Sequence, residues 1–238
     1  MKLAVSGCRG RMGQRIVALA LDDKDFKITT ILERPDHPEV GTQIEGLTVN
    51  SDPEKLAGCD CLIEFTSPQA TLAHLDACVR HGVKMVIGTT GLEPAQVEKI
   101  KAAAKKIPIV YSSNMSIGVN ILFKMAEMLS QMAPSNYTVN MAEAHHIHKK
   151  DAPSGTAKTL RAVIEKTSAH KVEKIDAIRE GEIIGDHKVV FESGEDVITI
   201  EHHAKTRDIF AKGSLVAAKF LQKKSKGLYH MTDVLGLS

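Results

Sequence analysis

Residues 143–157 contain the densest group of side chains in the sequence that could transfer protons or bind anions. Its polar members are Glu143, His145, His146, His148, Lys149, Lys150, Asp151, Ser154 and Thr156. Histidine titrates near neutral pH, and a nearby lysine carries a positive charge that can polarise or protonate a substrate atom. These residue types therefore predict an active site that supplies a proton to an anionic substrate.

The end of this segment is predicted to begin a helix that binds negative charge. Pro153 breaks regular structure, and Ser154 is a favoured N-cap residue. Apolar residues follow with helical spacing, at Ala157, Leu160, Val163 and Ile164. We expect the backbone N–H groups of Gly155 and Thr156 to be unpaired at this helix start, where the helix dipole favours an anion. A carboxylate or a phosphate could dock there.

Two other interpretations of the histidines remain open. The segment could be a solvated basic loop without any chemistry. It could also bind a metal, since His146 and His148 would share one face of an extended chain. Lys149 and Lys150 would repel a cation, however, and no nearby cysteine or carboxylate completes an evident ligand set. We therefore predict no metal site.

The composition is that of an ordinary globular protein whose partners are small molecules or copies of itself. The 238 residues are 43% hydrophobic, enough for a substantial core, and 31 basic against 29 acidic residues give a formal charge of +2. This balance argues against a nucleic-acid or membrane partner. The apolar start is too short for a signal peptide and no long apolar run follows, so we expect a cytoplasmic protein.

The N-terminal half carries the pattern of a dinucleotide-binding fold. A short apolar strand over residues 2–6 precedes a glycine turn and a helical pattern. The turn consists of Gly7, Cys8, Arg9, Gly10, Arg11, Met12 and Gly13. Its G-x-x-G-x-x-G spacing allows a tight turn that brings backbone N–H groups against a pyrophosphate, while Arg9 and Arg11 add positive charge.

An acidic residue follows the second predicted strand, residues 27–32, at the distance typical of nicotinamide dinucleotide sites. There Glu33 would accept hydrogen bonds from the adenosine ribose, and Arg34 could pair with a 2′-phosphate. The couple is compatible with NADH or NADPH, although it could also be a solvated surface pair. Ligands of such sheets bind beyond the strand ends, so residues 65–68 and 88–91 should line the nicotinamide.

The remaining patterns predict an α/β protein of two domains. Residues 1–115 should form a Rossmann-type parallel sheet domain, onto which residues 208–238 pack back, and residues 116–207 a smaller α+β domain for substrate binding and oligomerisation. A helix is expected between them in the chain, with core residues at Ile121, Leu122, Met125, Met128 and Leu129.

The second domain should contain a four-stranded mixed sheet. Strands are predicted at residues 137–144, 174–183, 188–192 and 196–201, the last two joined by a turn at Ser193-Gly194-Glu195. A sheet with exposed edges and helices on one face leaves apolar surface uncovered. We therefore predict a homo-oligomer.

Over the whole chain the motifs resemble those of the dihydrodipicolinate reductase family. The resembling segments are Gly7-x-x-Gly10-Arg11-Met12-Gly13, Glu33-Arg34, Phe65-Thr66-Ser67-Pro68, Gly88-Thr89-Thr90-Gly91, Asn114-Met115-Ser116 and Glu143-x-His145-His146-x-x-Lys149-x-Asp151-Ala-Pro-Ser154-Gly155-Thr156. The last segment is highly specific, whereas the glycine turn alone is not. The resemblance implies NAD(P)H-dependent reduction of 4-hydroxy-tetrahydrodipicolinate to tetrahydrodipicolinate, in the diaminopimelate route to lysine.

The same resemblance implies roles for individual residues. His145 would be the proton donor or acceptor, with Lys149 as a second acid. His146 would contact the small dicarboxylate substrate, and the backbone of Gly155 and Thr156 would hold one of its carboxylates. The cofactor residues would be Gly7, Cys8, Arg9, Gly10, Arg11, Met12, Glu33, Arg34, Gly88, Thr89, Thr90, Ser112, Ser113, Asn114 and Met115. The family is typically a homotetramer joined through the sheets of its second domains.

The chain departs from the family pattern at three places. Ser112-Ser113 replaces a common Ala-Pro, Glu64 replaces an aspartate, and the span from Arg179 to His187 is short.

Two functions other than the reductase are a non-catalytic NAD(P)H-binding sensor and a related amino-acid dehydrogenase. A sensor needs no proton donor beside an anion-binding helix start, and the complete histidine segment argues against the dehydrogenase, so the reductase is preferred.

Overall fold

The computed structural model describes residues 1–237 and contains two units, each with its own sheet. Residues 1–116 and 210–236 form the first unit, and residues 117–209 with Leu237 form the second. The strands are β1 (Lys2–Ser6), β2 (Lys27–Leu32), β3 (Gln43–Ile44), β4 (Leu47–Asn50), β5 (Cys61–Glu64), β6 (Lys84–Ile87), β7 (Pro108–Tyr111), β8 (Thr138–His145), β9 (Val172–Arg179), β10 (Asp186–Glu192), β11 (Val197–His203) and β12 (Gly227–Tyr229). The α-helices are α1 (Arg11–Leu21), α2 (Pro68–His81), α3 (Pro94–Ala104), α4 (Ile117–Met132), α5 (Gly155–Thr167), α6 (Asp208–Leu221) and α7 (Met231–Val234).

The sheet of the first unit is parallel except at one edge. Its strand order is β12-β7-β6-β5-β1-β2-β4-β3, and among the described strands the β3–β4 pair alone is antiparallel. The order reverses beside β1, which has β2 on one side and β5 on the other. Ligands of such sheets bind at this reversal, beyond the carboxyl ends of the strands. The prediction of a Rossmann-type sheet is confirmed.

Apolar side chains on both faces of this sheet bury it between helices. Leu3, Val5 and Ile63 pack with residues of α1 and α6 in one core, and Ala4 and Leu62 pack with residues of α2 and α3 in another. Burial on both faces is the reason that these strands are continuous apolar runs without alternation. Within residues 1–237, no helix combines the length and the apolar character needed to cross a membrane.

The second unit contains the predicted four-stranded mixed sheet. Its order is β11-β10-β8-β9, in which β8 and β9 are parallel and the other neighbours are antiparallel. One face packs against α4 and α5 through a core that includes Val139, Leu160 and Phe191. The predicted strand ends are shifted by a few residues. The largest difference is in β9, which ends at Arg179 because residues 180–185 form the connection to β10.

The prediction that α4 is a core helix is only partly correct. Leu122 is buried and Leu129 packs against the core, but Ile121, Met125 and Met128 are 43%, 45% and 50% exposed. These three residues form an exposed apolar stripe on one side of the helix, here called the α4 stripe. Because α4 is apolar on more than one side, its hydrophobic spacing alone could not show which side meets the core.

Three short strands, β3, β4 and β12, were not predicted. The first two form a hairpin whose turn residues Glu45 and Gly46 both have positive φ, at 49° and 76°. This is the backbone of the tight turn that suits a twisted hairpin, and glutamate is an unusual residue there. The three strands are two to four residues long, too short for a periodic pattern to indicate them.

Candidate active site

The glycine turn after β1 brings the start of α1 close to the sheet. Gly7 has a φ of 72°, and a Cβ at Gly13 would lie 2.0 Å from the carbonyl oxygen of Gly7. Both positions therefore require glycine. Helix α1 begins after Gly10, and no side chain of residues 1–237 caps this helix start. A pyrophosphate fits an uncapped first turn, because the backbone N–H groups there have no partner within the helix.

Hydrogen bonds within the turn narrow which amides could meet a phosphate. The N–H groups of Gly7 and Cys8 donate to the last carbonyl of β2 at 2.9 and 3.2 Å, and that of Gly10 donates to Gly7 at 2.9 Å. Arg11 and Met12, in the first turn of α1, are therefore best placed to bind an anion. The pKa of the Cys8 thiol is raised to about 11, chiefly by burial, so this thiol is neutral.

The carboxylate of Glu33 is held at the end of β2 by two backbone N–H groups. That of Arg9 donates to Oε2 at 3.0 Å, and that of Arg34 donates to Oε1 at 3.1 Å. We expected the positive charge of Arg9 to face a phosphate. In the structure its guanidinium pairs with Glu39 instead. Arg34 is exposed and lies 3.6 Å from Asp36, a loose pair that leaves its guanidinium accessible.

A buried polar network links the loops after β5 and β6. The N–H of Thr66 donates to Oγ1 of Thr89 at 3.0 Å, and the Thr71 hydroxyl donates to the same oxygen at 2.9 Å. Glu64 accepts from the hydroxyl of Thr66, and its carboxylate lies 3.4 Å from Oγ1 of Thr71 and 2.7 Å from Nδ1 of His74. Thr89 is 3% exposed, so its hydroxyl orders the loop rather than facing a ligand.

Gly88 and Thr90 flank the buried threonine on the loop after β6. A Cβ at Gly88 would lie 2.2 Å from the ring of Phe65, so close packing between the two loops requires glycine. Thr90 is exposed. Both loops follow the carboxyl ends of parallel strands, where ligands of such sheets bind.

Serine hydroxyls and a side-chain amide shape the loop after β7. Ser112 Oγ donates to the carbonyl of Asn114 at 2.8 Å, and Oδ1 of Asn114 accepts from the N–H of Ser116 at 2.8 Å. The hydroxyl of Ser112 thus supplies local order where relatives often have Ala-Pro. Ser113 is exposed, whereas Met115 is 2% exposed and packs in the core. A cofactor could therefore meet Met115 only through its backbone.

In the second unit, strand β8 places Glu143 and His145 on its buried face. Alternate residues of β8 are buried, and these two end the series at 2% and 8% exposed. Nδ1 of His145 lies 2.7 Å from Oε2 of Glu143. The strand ends at His145, so its imidazole lies where the chain begins the connection to α5.

Two side chains that were not predicted from the sequence complete this cluster. Arg179 of β9 donates to Oε1 of Glu143 at 2.8 Å, and the N–H of Ser154 donates to the same oxygen at 3.1 Å. His187 of β10 lies opposite Glu143 in the sheet, and its ring meets that of His145 edge-on with 5.1 Å between centroids. The register of three strands brings these groups together, and no local sequence pattern shows a register.

The cluster combines opposite charges with one neutral ring. Burial opposes ionisation, but contacts with His145, Arg179 and a backbone N–H lower the pKa of Glu143 to about 2, so its carboxylate is charged. Burial is the largest cause that lowers the pKa of His187 to about 3, and His145 beside it adds to the effect. The ring of His187 is therefore neutral near pH 7, with Nε2 3.2 Å from Oγ of Ser154.

The start of α5 lies near a carboxylate of the chain itself. Ser154 is the N-cap, as predicted, and its Oγ accepts from the N–H of Ala157 at 3.1 Å. Burial opposes ionisation of Asp151, but Lys149 and, to a smaller extent, the backbone N–H of Gly155 lower the pKa of its carboxyl. Lys149 lies 2.8 Å from the same carboxylate. Asp151 is half exposed, so a ligand carboxylate could take its place.

The other two predicted substrate residues precede and follow Asp151 in the sequence. His146 is half buried in the connection, and its ring centroid is 6.1 Å from that of His148. Thr156 is 7% exposed, in the first turn of α5. All five predicted catalytic and substrate residues therefore belong to one connection, from the end of β8 to the start of α5.

A set of possible metal ligands lies in the buried cluster rather than at His146 and His148. Glu143, His145 and His187 offer ligand-type atoms within 4.8 Å of one another. Arg179 already pairs with Glu143 and would repel a cation from this set. The cluster is therefore better suited to holding a proton than to holding a metal ion.

A Rossmann sheet with a glycine turn before α1, in a chain whose second unit carries a histidine and a lysine on the connection to α5, defines a nicotinamide-dependent oxidoreductase. Family models for the two halves of one such enzyme match nearly the whole chain. The N-terminal part of dihydrodipicolinate reductase matches residues 1–115, and the C-terminal part matches residues 118–235. The chain belongs to the dihydrodipicolinate reductase family, and its activity is that of a 4-hydroxy-tetrahydrodipicolinate reductase.

Curated relatives are similar over their full length. The 4-hydroxy-tetrahydrodipicolinate reductase of Nitrosomonas eutropha is 42% identical, over 100% of this chain and 98% of the relative. That of Bordetella pertussis is 38% identical, over 99% and 97%. Among solved structures, a dipicolinate-bound dihydrodipicolinate reductase from Paenisporosarcina sp. TG-14 has the same fold, with a TM-score of 0.83 over 98% of each chain at 22% identity.

We predict that His187→Gln makes stability less dependent on pH. The folded-state pKa of His187, about 3, lies below the ordinary value of 6.5, so the unfolded chain binds a proton that the folded chain does not. The wild type should therefore be fully stable above pH 6.5 and lose stability as the pH falls toward 3, by at most about 1.4 kcal/mol per pH unit from this residue. Urea unfolding at several pH values measures this slope, which the variant should reduce.

The exposed His148 provides the control for this prediction. His148→Gln also removes one imidazole, but from a solvated position, so its slope should match that of the wild type. Equal slopes in all three proteins would show that His187 is not held neutral by burial.

Proposed function

We propose that the enzyme adds a hydride and then a proton to a cyclic, conjugated imine dicarboxylate. When bound, NADH or NADPH supplies the hydride. The 4-hydroxy substrate loses its hydroxyl as water to give the conjugated imine, the hydride adds to this conjugated system, and the enamine that remains takes a proton from the protein to give tetrahydrodipicolinate. The observation that carries this proposal is the position of His145, buried at the end of β8 on the connection that also contains the Lys149–Asp151 pair and leads to α5.

His145 donates the proton in this proposal, and Lys149 is the second acid. Nδ1 of His145 faces Glu143, so Nε2 is the ring nitrogen left for the substrate. Lys149 keeps its ammonium next to Asp151. Movement of that carboxylate would free the ammonium to polarise the substrate nitrogen.

The start of α5 binds one substrate carboxylate. Gly155 and Thr156 offer backbone N–H groups in its first turn, where the helix dipole favours an anion. Lys149 and the Gly155 amide both lower the pKa of the Asp151 carboxyl, although burial opposes this, which supports the chemistry of this position. His146 contacts the substrate from the same connection.

The first unit holds the cofactor and accepts either nucleotide. The first turn of α1 binds the pyrophosphate, and Glu33 accepts hydrogen bonds from the adenosine ribose. Arg34 pairs with the 2′-phosphate when the nucleotide is NADPH, since its guanidinium is exposed and only loosely paired. The loops at Gly88 to Thr90 and Ser112 to Met115 line the nicotinamide side.

A homotetramer joined by the second-unit sheets is the assembly that we propose. The sheet face opposite α4 and α5 exposes Ile178 and Val197, at 46% and 56%, and the α4 stripe adds further apolar surface.

We also propose a cytoplasmic location, because a biosynthetic reductase needs a pool of reduced nicotinamide nucleotide.

We predict that His145→Gln lowers kcat about 100-fold or more, because a general acid typically contributes a factor of that size. The nucleotide Kd should be unchanged, since His145 belongs to the second unit. The assay follows the absorbance of reduced nicotinamide while a synthase generates the substrate from pyruvate and aspartate semialdehyde. His148→Gln, which changes an exposed imidazole nearby, should keep wild-type turnover. A kcat of His145→Gln equal to that of the wild type would remove His145 from the acid role.

We predict that Arg34→Ala weakens NADPH about tenfold and NADH much less, because one charge-assisted contact to the 2′-phosphate is lost. Fluorescence titration of both nucleotides measures the two dissociation constants. Lys99→Ala, which removes a cation from the exposed side of α3, is the matched control. Equal weakening of both nucleotides by Arg34→Ala would mean that Arg34 does not meet the 2′-phosphate.

We predict that light scattering gives the mass of a tetramer of the 25.9 kDa chain. Ile178→Glu should shift the mass downward, because a buried charge without a partner disfavours the contact between sheets. Leu21→Glu changes an exposed apolar residue of the first unit and should leave the mass unchanged. A monomeric wild type would contradict the proposed assembly.

A further inference from the structure

We propose that Glu143 is a positioning residue whose single carboxylate holds both the imidazole of His145 and the start of α5. The inference rests on the proposed function, in which His145 donates the proton and the start of α5 binds a substrate carboxylate. Each of these two parts of the site faces a different oxygen of Glu143.

The first oxygen, Oε2, fixes the orientation of the proton donor. It lies 2.7 Å from Nδ1 of His145, and the two residues are neighbours on one face of β8. An acceptor at Nδ1 favours a proton on that nitrogen. In this proposal Nδ1 is the ring nitrogen that faces Glu143, and the proton that leaves comes from Nε2.

The second oxygen, Oε1, holds the far end of the connection. It accepts from the N–H of Ser154 at 3.1 Å and from Nη2 of Arg179 at 2.8 Å. Arg179 also donates to the carbonyl of Asp151. The chain from His145 to Ser154 is thus tied to the sheet at both ends through one carboxylate, so the distance between donor and anion site is fixed.

The opposite side of the imidazole leaves little room for another orientation. A Cβ at Gly185 would lie 3.1 Å from Nε2 of His145, and the ring of His187 packs edge-on against it. A side chain at position 185 would therefore crowd Nε2, which glycine avoids. With Nδ1 facing Glu143, the ring is confined on several sides.

A purely structural ion pair would not need this arrangement. Arg179 and the N–H of Ser154 both bond to Oε1, and this alone would stabilise a buried carboxylate. The contact of Oε2 with His145 is additional. The two roles can therefore be separated by asking whether the effect of Glu143 depends on His145.

A double-mutant cycle separates the positioning role of Glu143 from a purely structural role. Glu143→Gln keeps the shape of the side chain but removes its charge. The cycle compares kcat, the substrate KM and the nucleotide Kd of Glu143→Gln, His145→Gln and the double variant. Glu201→Gln, an exposed glutamate of the same sheet, is the matched control. Long-range ¹H–¹⁵N spectra of the histidine rings, with His145→Gln for assignment, show which nitrogen carries the proton without any turnover.

We expect Glu143→Gln to lower kcat about 10- to 100-fold, as a small misplacement of a reacting group does. It should raise the substrate KM, leave the nucleotide Kd unchanged and move the ring proton of His145 away from Nδ1. In the His145→Gln background it should have almost no further effect on kcat. An equal loss of kcat in both backgrounds, or an unchanged ring proton, would overturn the positioning role.

If Glu143→Gln does not fold, Glu143→Asp, which keeps the charge but withdraws it from His145, replaces it in the same cycle under the same criteria. If the wild type oxidises neither nucleotide with the generated substrate, the proposed function fails. The ring-proton measurement still decides whether Glu143 holds His145.

Discussion

The second unit depends on the burial of one ionised carboxylate. Removing a carboxylate from water costs several kcal/mol unless charged and hydrogen-bonding partners compensate it. Glu143 obtains its partners from three elements, namely His145 of its own strand, Arg179 of β9 and the backbone of Ser154 before α5. The charge can be satisfied only when these elements occupy their native positions, so its burial couples the sheet to the connection that carries the chemistry.

The first unit uses carboxylates and backbone amides in a related way. Glu33 accepts from two backbone N–H groups at the end of β2, and Glu64 accepts from the hydroxyl of Thr66 in the loop after β5. Glu33 thus orders the loop after β2 and Glu64 the loop after β5, both at the carboxyl end of the sheet, where ligands of this fold bind. The glycines at 7 and 13 then allow the backbone to come close, which side chains would prevent.

Local patterns were sufficient to predict the two sheets, the glycine turn and the helix start at Ser154. Each of these follows from a few neighbouring residues, through periodicity, turn chemistry or capping. Arg179 and His187 were missed because they reach Glu143 through the register of strands far apart in the sequence. The apolar α4 shows the same limit, since its spacing predicts a helix but not which side is buried.

The carboxylate of Asp151 explains how a basic connection can remain ordered before a ligand binds. Lys149 and the start of α5 both favour an anion, and leaving them without one would expose uncompensated positive charge and an unpaired amide. Asp151 supplies an anion from within the same connection, paired with Lys149 and stabilised to a smaller extent by the Gly155 amide. Under the proposed function, a substrate carboxylate exchanges with that of Asp151, so the local charge is nearly the same before and after binding. Much of the electrostatic attraction is thereby cancelled, and discrimination then depends on the fixed distance between the helix start and His145 rather than on net charge.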